Sequence, residues 1–196
     1  MLKILLFCCT TIFVGAHGAP QLTSNFTARI KQDVLDVHND ARSKCALGVL
    51  VVGGVKMGPA ANMRKLIWLN SLAAKAQKSA NNLTHTHTHT STIGESIFHF
   101  NTTSRIADPQ EISVKMVRDL LFAASPTRRE LHQMLWAATR RIGCGVVARD
   151  DGDVVVVCRY DPPGNQKGEE VFVKGTKCDA CPKNTGCEES TGLCVV

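Results

Sequence analysis

An α+β domain is predicted by three features of this 196-residue chain. Apolar residues first recur at helical spacing, the period changes to that of strands after Gly143, and a cysteine-rich stretch closes the sequence. Helices placed before and after a small antiparallel sheet give an α+β or layered α/β/α arrangement.

The first helix is expected from Thr27 to Cys45, where Ile30, Val34, Val37, Ala41 and Cys45 make one apolar face and Ser24 or Asn25 stands ready to cap the start. His38 lies four residues after Val34 on the same face, as either a buried core histidine or a cleft-lining one. A Gly-rich connection, ALGVLVVGGVKMGPAAN, leads to a second helix from Met63 to about Asn82 with Leu69, Leu72, Ala73, Ala76 and Ala80 inward. Asp108-Pro109 supplies a cap and first-turn pair for a third helix carrying Ile112, Met116 and Leu120. Ser125-Pro126 opens a fourth, with Leu131, Leu135 and Ala138. CGVVAR and VVVVCRY then flank Asp150-Asp151-Gly152, a hairpin turn with glycine where a positive φ is needed. A three-residue loop sets Cys144 opposite Cys158, so a cross-strand disulfide follows from register. GESIFHF and EEVFVKG are shorter strand candidates.

The first 18 residues have the form of a secretory signal peptide: Lys3, an apolar run over 4–14, then small residues. Cleavage is expected after Gly18, with Ala16 as the alternative. That run is too short to span a bilayer and no later stretch matches it, so no transmembrane anchor is expected. Asn25, Asn82 and Asn101 each begin a glycosylation sequon, which suits a secreted, extracellular protein. The formal net charge is +6, but the basic residues are dispersed and aromatics are scarce, which excludes a nucleic-acid-binding stripe. Of nine cysteines, Cys8 and Cys9 leave with the leader, and the remaining seven read as disulfides plus one unpaired thiol.

Taken in order, several segments resemble one family. VHNDARS (37–43), GPAANMRKLIWLNSLAAKAQKSANN (58–82), GESIF (94–98), HQMLWAATRRIGCGV (132–146) and VVCRYDPPGN (156–165) match consecutive signatures of the CAP superfamily. Its members include cysteine-rich secretory proteins, insect venom antigens and plant pathogenesis-related proteins, also called SCP-domain proteins. The resemblance spans most of 26–165, and the tail over 166–196 resembles the hinge of nematode SCP-like proteins. It implies a CAP-type α-β-α sandwich with an open central cleft. It also implies Cys144–Cys158, Cys178–Cys187 and Cys181–Cys194 pairing. Cys45 is then the odd thiol, either a buried small hydrophobe or an intermolecular link that makes a dimer.

The family cleft implies two histidines and two acids, with the histidines able to hold a divalent metal. Matched position by position, His38 takes the first histidine, Glu95 the first acid, and Glu130 stands where the second histidine is expected. Asp119 is the nearest substitute for the second acid, which falls near Leu120. His132, two positions after Glu130, is turned about 200° away on a helix. Leu83 and Arg149 occupy the positions of a further family disulfide, so both halves of it are missing together. His85, His87 and His89 alternate in LTHTHTHTST, share one face if extended, and are candidate ligands for weakly held Zn, Cu or Ni. No Ser/His/Asp or Cys/His constellation with an oxyanion element is evident. The chain is therefore expected to be non-enzymatic, without a cofactor, and to bind an extracellular protein or lipid through its cleft and loops. The alternatives are a sterol or fatty-acid carrier and a divergent metal-dependent hydrolase.

Overall fold

A computed structural model describes residues 22–23, 26–82, 93–101, 113–115, 118–119, 128–148 and 152–196. The first helix, α1 (Ala28–Ala46), is capped by Thr27, whose hydroxyl accepts from the Ile30 N–H. The cap thus sits two or three residues later than Ser24 or Asn25. The predicted stripe is buried as expected: Ile30, Val34, Val37, Ala41 and Cys45 all face the core.

A short hairpin, β2 (Leu50–Val52) with β3 (Val55–Met57), follows α1, and the chain then runs extended to β4 (Ile67–Trp68). The second helix, α2 (Asn70–Asn82), begins seven residues after the predicted Met63. Met63 and Leu66 have helical spacing, but tertiary hydrogen bonds hold that stretch straight. Asn39 bonds both the N–H and the carbonyl of Leu66, Cys194 N–H donates to Met63, and Lys65 N–H donates to Cys194.

The main sheet orders β1 (Leu22–Thr23), β6 (Arg141–Ala148), β7 (Asp153–Asp161) and β5 (Gly94–Asn101), with β4 parallel to one end of β6. Every central valine of β7 is buried because both faces of the sheet are covered. On one face lie α1 and a short helix α3 (Arg128–Met134), over a core that includes Cys144, Val156, Cys158 and Tyr160. On the other, Ala76 and Ala80 of α2 pack on Val147, Val155 and Val157. This is the α-β-α sandwich. Gly143 and Gly145 set its close spacing, since a Cβ would stand 2.3 Å from the Ala73 nitrogen or 2.4 Å from Gln77.

Helix α3 ends at Met134, so the expected fourth helix is shorter and Ala138 is an exposed turn residue rather than a core one. Arg42 accounts for the early stop, because it takes the carbonyls of Met134, Trp136, Ala137 and Thr139. Of the predicted third helix, residues 113–115 and 118–119 are helical, and the rest lies outside the described residues. EEVFVKG is not a sheet strand. Its carbonyls instead accept from Ala61 and Ala137, and Lys174 forms an isolated bridge with Ala60.

All three predicted disulfides are formed: Cys144–Cys158, Cys178–Cys187 and Cys181–Cys194. Cys144 and Cys158 are register partners with Cα atoms 4.1 Å apart, the spacing of a non-hydrogen-bonded antiparallel pair. The tail carries a small sheet, β8 (Gly186–Glu188) with β9 (Leu193–Val195), and is not a loose appendage. Leu193 is part of the main core, and Ser43 of α1 donates to the Thr191 carbonyl. Cys45 is free and fully buried, so of its two readings the small hydrophobe holds. A dimer through its thiol is corrected, because no partner can reach it in the folded chain. The leader, Asn25, Leu83, Arg149 and the His85/His87/His89 repeat lie outside the described residues, as does the Asn101 side chain. Asn82 is exposed at the end of α2.

Candidate functional site

The three family-matched residues do not converge on one cleft. His38 has no exposed surface. Its Nδ1 lies 2.8 Å from the Val34 carbonyl, which only accepts, so Nδ1 carries the proton and Nε2 accepts from the Tyr160 hydroxyl at 3.1 Å. Burial pushes the imidazole down to about 4, an effect only partly opposed by the Val34 bond and reinforced by the nearby Arg42 charge. His38 is therefore neutral at physiological pH, with both nitrogens engaged.

Glu95 points to the opposite face of the sheet. It pairs in register with Arg159, and Arg159 with Gly143, the glycine that touches α2. Tyr160, one residue along, pairs with Gly94 and faces His38 under α1. Because successive strand residues face opposite sides, the sheet itself separates Glu95 from His38. The Glu95 carboxylate is nearly buried and lies 3.2 Å from the Arg159 guanidinium, which also donates to the Ser79 hydroxyl at 2.8 Å. Glu130, on α3, belongs with the His38 side. Desolvation raises its carboxyl above the usual range, and its charge helps burial to raise the Tyr160 phenol. The expected His38/Glu95/Glu130 cleft is thus corrected to a buried His38–Tyr160 pair with Glu130 nearby, and a separate Glu95–Arg159–Ser79 cluster.

A divalent metal does not fit these groups. Both ring nitrogens of His38 are occupied and Glu95 is ion-paired. Among the described residues, no three His, Cys, Asp or Glu side chains are placed to hold an ion.

Residues outside the predicted site organise it. Arg42, fully buried, donates to five carbonyls: those of Arg64, Met134, Trp136, Ala137 and Thr139, at 2.7 to 3.3 Å. Desolvation brings its guanidinium down to about 9, still charged at neutral pH. Gln133 accepts from Gly164 N–H and donates to Thr139. The signal for Arg42 was present in the sequence, since it follows Val34 and His38 at steps of four on the inward stripe. Tyr160 alternates with Cys158 and Val156 and so shares their face.

Open surface lies elsewhere. A groove of about 450 Å³ runs between the outer face of α1 and the tail. Leu35, Leu66, Ile67, Trp68 and Leu193 form its apolar part, and Asp36, Asp40 and Lys65 stand among its polar groups. Ile67 is 59% exposed there. A smaller cavity of about 270 Å³ opens between Phe26, Trp68 and the start of α2.

The model of the cysteine-rich secretory protein family, CAP, matches residues 35–160. The chain belongs to the CAP family. Among curated relatives, Scoloptoxin SSD976 of Scolopendra dehaani is 29% identical over 93% of this chain and 92% of its own. Venom allergen 5 of Vespula vidua is 32% identical over 85% and 86%. Among solved structures, NaASP2 with Zn2+ is 25% identical with a TM-score of 0.73, covering 86% of this chain and 96% of that one. BmVAL-1, at 23% identity and a TM-score of 0.77, shares the fold over 88% of this CAP chain and 97% of its own. The solved neighbours include SCP-like proteins from nematodes.

Proposed function

We propose that this is a secreted CAP protein that acts by binding an extracellular partner, without turnover. One observation carries this reading. His38 and Glu95, two of the three family-matched groups, are spent inside the fold, whereas an open groove along α1 presents apolar side chains within a polar rim. His38 is inaccessible and Glu95 is neutralised by Arg159, so neither is poised to move a substrate proton. The groove has the mixed character of a recognition surface, with Ile67, Leu35 and Trp68 as contact groups. Extracellular placement is supported by three disulfides and by relatives that are venom proteins. No described helix is long and apolar enough to cross a membrane.

The experiment compares the purified secreted protein with a Leu35→Glu/Ile67→Glu variant and, on the far face, Lys78→Glu. Wild type and Lys78→Glu are expected to be retained equally on the target tissue, and the groove variant to be lost. Retention that ignores the groove variant overturns the assignment of surface. Hydrolysis of peptide or ester substrates that vanishes in Glu95→Gln or Glu130→Gln overturns the non-enzymatic reading.

A further inference from the structure

The hairpin between α1 and α2 presents a second surface, chemically unlike the groove. Residues 46–62, ALGVLVVGGVKMGPAAN, contain no acidic residue and a single charge, Lys56. Leu50 and Val52 turn inward and are buried, which fixes the hairpin against the body. Val51, between them, points the other way with its partner Lys56, while Val55 shares the face of its partner Val52 and is exposed where that face runs out at the tip. Leu47, Val49, Val51 and Val55 are 40 to 62% exposed. Val51 is the register partner of Lys56, and Gly53 and Gly54, both at positive φ, make a narrow tip without side chains.

The surface continues beyond the hairpin. Pro59 packs on Gly48, and the bridge from Ala60 to Lys174 brings in the segment VFVKGTKC, residues 171–178. That segment also lacks acids, and it adds the half-exposed Val173 and the exposed Lys174. The bridge thus joins two segments distant in sequence, each with exposed valines and a lysine, the second bordered by Glu169, Glu170 and Asp179. Clustered exposed apolar side chains of the kind this hairpin carries mark a contact surface on a folded domain.

We propose that this hairpin is a membrane-docking wedge. Val49, Val51 and Val55 enter the boundary between headgroups and acyl chains of a phospholipid bilayer, and Lys56 and Lys174 meet lipid phosphates at its surface. Three features favour a bilayer over a protein. The hairpin over 49–57 offers no polar side chain except Lys56, so it lacks the directional hydrogen bonds that fix a protein partner's register. The glycine tip is thin and the buried Leu50 and Val52 hold it rigid, which suits shallow insertion. A second copy of this hairpin carries the same Lys56 and no acid, so it offers that lysine no opposite charge. Lysine stems lie along apolar surface while their ammonium groups stay at the phosphate level, the arrangement of interfacial anchors. This inference does not rest on the α1 groove.

The test is co-sedimentation of the secreted protein with phosphatidylcholine vesicles, with and without phosphatidylserine. Wild type is expected to pellet with both and more with phosphatidylserine, since each lysine near an anionic surface adds attraction. Val51→Asp/Val55→Asp is expected to lower the partition coefficient about tenfold or more, because a buried aspartate opposes insertion. Lys56→Glu/Lys174→Glu is expected to abolish the phosphatidylserine preference. All four positions are exposed, and unchanged circular dichroism checks that the variants fold. Wild type that stays in the supernatant, or an aspartate variant that pellets like wild type, overturns the proposal. A concentration-dependent dimer that Val51→Asp/Val55→Asp dissociates, without vesicle binding, assigns the face to a second copy instead.

Discussion

Acidification between neutral pH and about 4 should destabilise the fold through His38 before ordinary carboxylate titration dominates. The imidazole is buried and neutral, with a folded pKa of about 4 against 6.5 when unfolded. A proton in that window binds the unfolded chain preferentially, so the stabilisation is complete above 6.5 and is lost as pH falls towards 4. The gap of 2.5 between those values is about 3 kcal/mol in full. From about pH 7 to about pH 5, linkage takes about 2 kcal/mol of it. Glu130 works in the other direction: its carboxyl is raised, so its contribution is present at low pH and is lost as pH rises. Comparing wild type with His38→Gln removes that term from the difference. Urea unfolding of both proteins at the two pH values reads the effect directly. Wild type is expected to lose about 2 kcal/mol more than the variant over this interval. Equal losses, or a His38 resonance, assigned by its loss in His38→Gln, that titrates near 6.5 in the folded protein, would refute the reasoning.

Three further expectations follow from buried chemistry and from the histidine repeat. Arg42→Leu should cost about 3–5 kcal/mol by leaving five carbonyls without their shared donor, and Arg42→Lys should recover only part of it, having fewer N–H groups. Equal stability of all three proteins in denaturant titration contradicts the keystone role. Cys45, whose thiol burial pushes up to about 12, should resist alkylation until denaturant is added and should form no covalent dimer on a non-reducing gel. Rapid labelling of the native protein counts against it. For metal, the purified protein should carry no stoichiometric zinc, and any weak binding should reside in His85, His87 and His89 and fade below about pH 6. Calorimetric titration of wild type, the His85/His87/His89→Ala variant and Glu130→His decides it, and tight binding that survives the triple change refutes the assignment.

The layered fold and the Cys144–Cys158 bridge were legible in the residues because their signals are local or periodic, whereas the two tail bridges followed from the family resemblance. The stripe from Ile30 to Cys45 buries one helix face, and counting outward from the Asp150–Gly152 turn aligns Cys144 with Cys158. Sequence also carried the family, since five signatures in order leave little freedom. What it could not determine was which side of the sheet each polar residue takes relative to a distant helix. Glu95 and His38 looked like partners in a cleft, yet the strand alternation that sends Tyr160 to His38 sends Arg159, and with it Glu95, to α2. The start of α2 was misplaced for a related reason. Met63 to Leu69 has helical spacing, but hydrogen bonds from Asn39, Arg42 and Cys194 satisfy its backbone in an extended form. Arg42 stood in plain view on the apolar stripe, but its five acceptors come from segments 22 to 97 residues away. Local pattern sets each element and its buried face, whereas only the assembled chain decides which groups are opposed across it and which are left at the surface.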